Sequence, residues 1–457
     1  MNRNVKPLFS MMILLVLMSA LTTTAFSVSE ADRHVILISV DGLAAYHLEN
    51  EDLELPNFRE LIRDGAWPVA SQSIFPSVTH PSHASLITGV TPRKHGVIGN
   101  RMTNRETGET FHPTTKSRSD VVHVKTLFDA AREAGLTTAA ICWPETRGDA
   151  AIDFNILHGH SELDPDEVDP ELLEFLRSSG IPIDTWYTWA KYGRIMQGYR
   201  DVILAESAAE IFKVHKPDLM AVHFLVTDSK QHGWGPKHYM AQAALTRADH
   251  NVGILRQAVR DAGLEDRTTF VIVTDHGFSS VYHEVNIYPE WKAAGLDGIA
   301  QLHGDRWNVF VETTDAFDRE RDEKKLQTFF DNVLRLEGVR RIIKNEAFHD
   351  IGYPRYEENP HVPGQYIIIP YIDTYLTVDT ETVSTRRRER SAPSHGHGYL
   401  PDHPQMYAGM IWSGREITRG IRTGMVYNID VAPTIAKLLG LELPDAEGRV
   451  LLEILDK

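Results

Sequence analysis

The sequence predicts an α/β protein of three layers, in which helices cover both faces of a mainly parallel central sheet. Short, nearly continuous apolar runs recur along the chain, at residues 35–40, 137–142, 219–226 and 269–274. Such runs are typical of strands that are buried on both faces of a parallel sheet. Segments with helical spacing lie between them, at 124–134 and 243–262, and Gly135 and Gly263 follow these segments as stop signals. This alternation indicates helices packed on both sides of the sheet.

Length and charge limit the possible partners. The chain has 457 residues, of which 42% are hydrophobic, and this suffices for a large core and about two structural units. The formal net charge of −16 disfavours binding to a nucleic acid duplex or to an anionic membrane. An anionic substrate would therefore need a local positive centre, such as a bound metal ion.

The N-terminus predicts a secretory signal peptide over residues 1–27. Arg3 and Lys6 precede an apolar stretch at 8–21, and small residues follow at 22–27. The apolar stretch is short for a membrane span of ~20 residues, so we prefer a cleaved signal to a membrane anchor, with no stable span after cleavage. The only cysteine, Cys142, can form no intramolecular disulfide. Together these features predict an exported bacterial protein, periplasmic or extracellular.

Two excursions interrupt the α/β pattern. Residues 145–200 are acidic and then aromatic and contain no clear sheet run; we expect either a cap over a pocket or a surface helical excursion. Residues 286–392 predict a small α+β insertion, with a charged helix near 318–336 and strands at 365–371 and 374–378. The core then comprises residues 28–285 and 393–457.

The end of that insertion is basic, and the core resumes after it. Arg386, Arg387, Arg388 and Arg390 favour a solvated loop. We expect a core strand at 406–412 and a final helix at 430–439.

Three predicted strands end on acidic residues: Asp41, Asp228 and Asp275. Ligands of open α/β sheets bind beyond the carboxyl ends of the strands. A lone Asp-Gly would more often be a helix cap, but three such strand ends together favour a site. We therefore expect three carboxylates at one edge of the sheet.

Histidines accompany these carboxylates at metal-ligand spacing. Asp228 and His232 lie four residues apart, so one helical turn would direct both at one point. Asp275 and His276 are adjacent and would converge if the strand end turns sharply. His397 falls in a Gly-rich loop where the chain re-enters the core. Carboxylate and imidazole ligands without cysteine suit zinc, and manganese or iron less well.

A single threonine, Thr79, is the candidate nucleophile. Pro81 favours the first turn of a helix that continues over 82–88 and stops at Gly89, so Thr79 is expected to precede a helix N-terminus. The free N–H groups and dipole there favour a bound phosphate or sulfate. A hydroxyl is a poor nucleophile until metal coordination lowers its pKa. The neighbouring His80 and His83 are interpreted as helix-face residues.

These motifs resemble the nucleotide pyrophosphatase/phosphodiesterase branch of the alkaline phosphatase superfamily. The matching pieces follow in the family's order and cover most of residues 33–445, most weakly in the two excursions. They are Asp41, the stretch 75–83 around Thr79, residues 88–89, 95–100, Asp228 with His232, 274–277, 397–399 and 431–440.

The resemblance implies an alkaline phosphatase-like fold and a site with two Zn²⁺ ions, which clamp the attacking and leaving oxygens of an in-line displacement. Thr79 would attack phosphorus and form a phospho-threonine that water then releases, and Asn100 would hydrogen-bond a non-bridging phosphoryl oxygen. The implied ligands of the zinc that activates the nucleophile are Asp41, Thr79, Asp275 and His276. Those of the second zinc are Asp228, His232 and His397.

The chain departs from the family at Val78, where Lys is common, and at Ser82, where Asn is common. His395 is a rival to His397 as ligand. We favour His397, because its neighbours match the family's His-Gly-Tyr.

The sequence thus favours an exported two-zinc phosphodiesterase or nucleotide pyrophosphatase acting on a small phosphodiester or nucleotide. An alkaline phosphomonoesterase is the closest alternative, but residues 143–147 lack the Lys-x-Arg pair of related monoesterases, although Arg147 could act alone. A phosphonate hydrolase would use the same scaffold. A sulfatase would need Cys or Ser in place of Thr79. An inactive exported metal-binding protein is a remote alternative, since it would be expected to have lost the nucleophile or some ligands.

Overall fold

An eight-stranded mixed sheet organises the computed structural model, which describes residues 33–159, 168–187, 197–381 and 388–456. The strands, in chain order, are β1 His34–Val40, β2 Gly65–Pro68, β3 Ser71–Gln72, β4 Met102–Thr103, β5 Thr110–Phe111, β6 Thr138–Ile141, β7 Phe154–Ile156, β8 Leu219–Phe224, β9 Thr268–Val273, β10 Ser279–Asn286, β11 Ala300–Asp305, β12 Asn308–Thr313, β13 Val339–Lys344, β14 Tyr366–Pro370, β15 Thr374–Thr377, β16 Arg388–Gly396, β17 Ile411–Gly414, β18 Ile421–Thr423 and β19 Val426–Tyr427.

The α-helices connect these strands. In chain order they are α1 Ala45–Glu49, α2 Pro56–Arg63, α3 Thr79–Thr88, α4 Pro92–His95, α5 Arg118–Val121, α6 Leu127–Glu133, α7 Pro170–Ser178, α8 Ile183–Tyr187, α9 Gln197–His215, α10 Val226–Trp234, α11 Tyr239–Asp261, α12 Tyr288–Ala294, α13 Arg319–Val333 and α14 Val431–Leu439. None of these described helices is long and apolar enough to cross a membrane.

The large sheet has the order β18-β2-β17-β9-β1-β8-β6-β7. Strands β9, β1, β8, β6 and β7 are all parallel, and β17 joins β9 in antiparallel orientation. Because β1 lies between β8 and β9, the three strands that precede the candidate carboxylates are immediate neighbours. The predicted mainly parallel α/β architecture is confirmed.

Alternation along β1 separates two apolar cores, one on each face of the sheet. Ile36 and Ile38 face one cluster, which includes Phe58 of α2 and Phe212 of α9. Val35 and Leu37 face the other, which contains side chains of α3, α6 and α14. Successive strand residues point to opposite faces, so a continuous apolar run can fill both cores.

The expectation that residues 145–200 contain no sheet run is wrong. Strand β7 pairs with β6 at the edge of the large sheet, with Ala139 opposite Phe154. Three residues are too few to show a strand period in the sequence. Trp189 and Tyr192 lie outside the described residues, so the cap stays a prediction, and the signal peptide at 1–27 likewise lies outside them.

The second excursion carries its own antiparallel sheet, β11-β12-β14-β13, with an apolar core that includes Trp291 and Phe329. The predicted helix near 318–336 is α13, and the predicted strands at 365–371 and 374–378 are β14 and β15. The division of the chain at residues 285 and 393 stays a prediction.

Part of the basic run is a strand rather than a loop. Arg388 and Arg390 lie on β16, which pairs with β10, and Arg390 forms an ion pair of 3.0 Å with Glu284 of β10. Arg386 and Arg387 lie outside the described residues. The predicted strand at 406–412 also begins later, at Ile411, and Met406 belongs to a 3₁₀ turn at Pro404–Met406.

Candidate active site at the carboxyl edge of the sheet

The structure brings the three strand-end carboxylates together. Asp41 directly follows β1, Asp275 lies two residues beyond β9, and Asp228 lies in the first turn of α10, which begins just after β8. Parallel neighbouring strands end at the same edge, so the three side chains share one region of the molecule.

Asp41, Asp275 and His276 form the inner ligand set. The Nε2 atom of His276 lies 3.1 Å from Asp275 Oδ2 and 3.5 Å from Asp41 Oδ1. The other oxygen of Asp275 is held by the backbone N–H groups of Gly42, at 3.2 Å, and of His276, at 3.1 Å. All three side chains are almost fully buried.

Gly277 makes the sharp turn after these ligands possible. A Cβ atom at this position would lie 2.1 Å from the backbone oxygen of Gln405. Only glycine allows this close approach of the two chain segments. The adjacent Asp275 and His276 can therefore converge, as the sequence predicted.

Asp228, His232 and His397 form the outer ligand set. Helix α10 places Asp228 and His232 one turn apart, with His232 Nε2 3.3 Å from Asp228 Oδ1. The Nε2 atom of His397 lies 3.4 Å from the same oxygen and 3.2 Å from His232 Nε2. The predicted pairing on one helical turn is observed.

The second ring nitrogens of both histidines are held by backbone carbonyls. His232 Nδ1 donates to the carbonyl of His395 at 2.9 Å, and His397 Nδ1 donates to the carbonyl of Ser77 at 2.9 Å. Histidines that bind metals normally carry such a hydrogen bond on the other nitrogen. The ring of His395 instead bonds the hydroxyl of Ser280, at 2.9 Å, so the geometry favours His397 over His395.

His276 joins the two sets. Its ring stacks on that of His397 with centroids 3.4 Å apart, and donor atoms of Asp228, His276 and His397 all lie within 4.8 Å of one another. The inner and outer sets are therefore contiguous, although the sequence placed His276 in the inner set alone.

Charge is crowded at this edge. Burial, together with the negative charges of Asp275 and Asp228, raises the pKa of Asp41 well above its usual range. Burial opposes ionisation of Asp275 and Asp228 too. The partner histidines outweigh it, however, and hold the pKa of each carboxyl below its usual range. Conversely, Asp228 raises the pKa of His232 to about 9 against the effect of burial.

Several ligand atoms lack a partner. Among the buried atoms of the described residues that have no hydrogen bond of normal geometry are four atoms of the candidate ligands: Asp41 Oδ1, Asp228 Oδ1, Asp275 Oδ2 and His276 Nε2. Buried polar atoms in folded proteins are normally satisfied. These atoms converge at short distances, so the donor set fits divalent cations, which would satisfy the atoms and balance the carboxylate charge.

Thr79 is the first residue of α3, after Val78 as N-cap. The expectation that Thr79 precedes the helix is wrong by a short margin. Pro81 occupies the third helical position, where the missing N–H would have had no intrahelical partner in any case. The side chain of Asn100 reaches this turn, and its Oδ1 accepts a hydrogen bond of 2.9 Å from the backbone N–H of His80.

His80 and His83 are buried beneath Thr79 and bond to protein groups. His80 Nδ1 lies 2.7 Å from Glu145 Oε1. His83 Nδ1 donates to the carbonyl of Thr79 at 2.8 Å, and its Nε2 lies 2.9 Å from the hydroxyl of Ser39. His83 therefore anchors α3 to β1, and His80 anchors it to the segment after β6. Both contacts agree with the interpretation of these histidines as helix-face residues.

Sequence reasoning missed three supporting residues: Ser77, Glu145 and His223. His223 Nε2 lies 3.2 Å from Asp41 Oδ2, behind the inner set. A histidine inside the apolar run of β8 was the available signal, since a buried imidazole needs a polar partner. Glu145 and Ser77 gave no comparable local signal.

The model of the type I phosphodiesterase / nucleotide pyrophosphatase family matches residues 35–369. The chain belongs to this family.

Other family members are distant in sequence. Ectonucleotide pyrophosphatase/phosphodiesterase family member 3 of Bos taurus is 22% identical over 250 residues, which are 54% of this chain and 25% of that protein. The chain thus spans about a quarter of the length of this mammalian relative and of its family member 1 counterparts. The bis(5'-adenosyl)-triphosphatase of Xenopus laevis is 24% identical over 408 residues, which are 89% of this chain and 78% of that protein.

Solved structures of family members share the fold. Human ectonucleotide pyrophosphatase/phosphodiesterase 5 superposes with a TM-score of 0.70 at 15% identity, covering 93% of this chain and all of that one (100%). A murine counterpart, described as an inactive threonine-to-alanine variant in complex with AMP, superposes with a TM-score of 0.69 at 14% identity and the same coverage. The predicted alkaline phosphatase-like fold is confirmed.

Proposed function

We propose that this family member is a metal-dependent hydrolase of small phosphodiesters or nucleotide phosphoanhydrides, which acts through Thr79 with two Zn²⁺ ions. The observation that carries this proposal is the convergence of four unsatisfied, buried ligand atoms on one sheet edge that also holds the start of α3. Oxygen and nitrogen donors without sulfur fit zinc.

The proposed zinc ligands follow the inner and outer ligand sets. We assign Asp41, Thr79, Asp275 and His276 to the inner zinc and Asp228, His232 and His397 to the outer zinc. When bound, the ions would lower the pKa of a coordinated hydroxyl or water and neutralise phosphoryl oxygens.

The chain's own residues position the reacting groups. Thr79 stands at the first position of the 10-residue helix α3, where the positive end of the helix dipole favours a phosphoryl group. The Oδ1 atom of Asn100 is held by the His80 N–H, so the amide NH₂ is the end available to donate to a non-bridging oxygen. Attack by Thr79 Oγ1 on phosphorus expels the alcohol or phosphate leaving group, and water then hydrolyses the phospho-threonine.

A diester or anhydride is favoured over a monoester because residues 143–147 lack a Lys-x-Arg pair. A monoester carries more charge than a diester and needs an additional basic partner. The Nε of Arg147, the basic residue of the 143–147 stretch, donates to the carbonyl of Thr114 at 3.0 Å. A nucleotide substrate is supported by the names of relatives, a bis(5'-adenosyl)-triphosphatase and a protein bound to AMP. We also propose export, on the strength of the signal-like residues 1–27.

The direct test replaces the nucleophile. Thr79→Ala should lower turnover by ~10³-fold or more, because the proposed nucleophile is removed, while folding stays intact. The matched control is Thr88→Ala at the opposite end of α3, whose hydroxyl bonds the carbonyl of Ala84 at 2.6 Å and should leave turnover nearly unchanged. Undiminished activity of Thr79→Ala would refute the mechanism.

The substrate class needs a second assay. The zinc-loaded protein should hydrolyse an aryl nucleotide diester faster than an aryl phosphate monoester or a phosphonate, measured side by side. A preference for the monoester would overturn the proposed class. Fewer than two tightly bound zinc ions per chain, with no turnover of any substrate, would favour an inactive metal-binding protein.

A further inference from the structure

A second cluster of metal-binding side chains lies behind the inner ligand set. It consists of Cys142, His158 and His223, whose donor atoms all lie within 4.8 Å of one another. Their exposed fractions are 0%, 4% and 0%, so the cluster is closed to solvent.

The sheet itself assembles the cluster. His223 lies in β8, Cys142 directly follows β6, and His158 lies two residues beyond β7. These three strands are consecutive and parallel, and Ile141 pairs with both Val222 and Ile156. Cys142 is therefore next to His223 on one side and close to His158 on the other.

His223 connects this cluster to the inner set. Its Nε2 lies 3.2 Å from Asp41 Oδ2, its Nδ1 is buried, and the imidazole also interacts with the backbone of Cys142. A carboxylate on one imidazole nitrogen and a metal on the other is the arrangement that metal-binding histidines usually adopt. With Nε2 on Asp41, Nδ1 is the nitrogen that would take an ion, in place of the interaction with the Cys142 backbone.

The backbone at Cys142 is unusual. Its φ of 58° is in the left-handed region, which a non-glycine residue adopts at a cost of about 1–3 kcal/mol. Asparagine or glycine would be more favourable there on conformational grounds. The thiol has no pairing alternative, since Cys142 is the only cysteine of the chain. Burial raises the pKa of this thiol, so a bound cation would have to displace its proton.

We propose that Cys142, His158 and His223 form a third metal site, which takes a borderline or soft transition-metal ion such as Zn²⁺. One thiolate and two imidazoles are the donors that such ions prefer, and no hard oxygen ligand is among them. An ion at this site would hold His223 with its Nε2–H directed at Asp41. It would therefore support the inner set from behind without contact to substrate.

Cobalt substitution tests the proposal directly. Sulfur is absent from the inner and outer sets, so a thiolate-to-cobalt charge-transfer absorption can arise only at Cys142. The metal-free full-length protein is titrated with Co²⁺ alone, and the near-ultraviolet spectrum and bound cobalt are measured. We expect three cobalt ions per chain and a charge-transfer band.

Variants then assign the third ion. Cys142→Ser and His158→Gln should each bind two cobalt ions, and the charge-transfer band should be lost in the first and lost or strongly weakened in the second. His215→Gln, an exposed histidine of α9 close to β7, is the matched control and should keep three ions and the band. Circular dichroism of each variant shows whether the fold is retained.

The spectrum of the wild-type protein tests the third metal site even if a variant fails to fold. Two bound cobalt ions without a thiolate band would overturn the third site, whatever the activity. Failure of the proposed hydrolase function would look different, as a chain with the band and three ions that hydrolyses no phosphate ester.

Discussion

Replacing Ser77 by alanine should loosen the loop that carries His397. Ser77 is fully buried, and its hydroxyl donates to the carbonyl of Tyr399 at 2.7 Å and accepts from the N–H of Gly398 at 3.2 Å. Its own carbonyl accepts the hydrogen bond of 2.9 Å from His397 Nδ1. The segment before Thr79 and the loop of the outer set are thus joined through one serine.

The size of the effect follows from the groups left without a partner. Ser77→Ala leaves a buried N–H and a buried C=O, and each such group costs about 1–3 kcal/mol. Partial relaxation of the loop reduces the sum, so the free energy of unfolding should fall by about 2–4 kcal/mol. Because the loop positions His397, zinc affinity should fall by about 10–100-fold.

Denaturant unfolding of the metal-free protein and zinc competition with a chromophoric chelator measure the two effects. The control is Ser178→Ala, whose exposed hydroxyl lies 3.4 Å from Glu174 and whose loss should change stability by less than about 0.5 kcal/mol. If Ser77→Ala matched this control in both stability and zinc affinity, the proposed role of the serine in holding the loop would be wrong.

Two further changes test the scaffold. Burial lowers the pKa of His95 to about 3, and its Nδ1 accepts a hydrogen bond from the Val97 N–H. The neutral imidazole therefore contributes its full stabilisation of the folded state above pH 6.5. The free energy of unfolding should fall by up to about 1.4 kcal/mol per pH unit as the pH drops below 6.5. His95→Asn should flatten this slope in unfolding curves measured between pH 7 and 4.5. An unchanged slope would contradict the role of His95. Gly277→Ala places a Cβ 2.1 Å from Gln405 O. It should lower the free energy of unfolding by about 3 kcal/mol or more and abolish zinc binding. The control Gly263→Ala, where φ is +68° and the space is open, should lower it by about 1 kcal/mol. Equal costs for the two glycines would show that the turn can shift.

The parts of the fold that the sequence predicted are those with a strong local pattern. The runs that became β1, β6, β8 and β9 are apolar throughout because both faces of each strand are buried. The three-residue strand β7 has too little length for a pattern. The basic strand β16 reads as a loop because its pairing with β10 and the ion pair of Arg390 with Glu284 are long-range contacts.

The candidate site follows the same division. Asp41, Asp228 and Asp275 could be placed together because the carboxyl ends of parallel strands lie at the same edge of a sheet. The residues that hold these carboxylates and the neighbouring site residues in place could not be predicted from the sequence. His223, Glu145 and Ser77 act through partners 182, 65 and 320 residues away along the chain, and no local spacing records such pairs.

The two ligand sets differ in their access to water. Asp275 and His276 are 0% exposed, whereas the side chains of Asp228 and His232 are 18% and 40% exposed. An ion held by the outer set therefore has a more open path to solvent than an ion held by the inner set. Chelation should therefore remove the outer ion in a faster kinetic phase than the more deeply buried ions. A chain that loses metal would pass through one defined species that lacks only the outer ion, rather than through a random mixture.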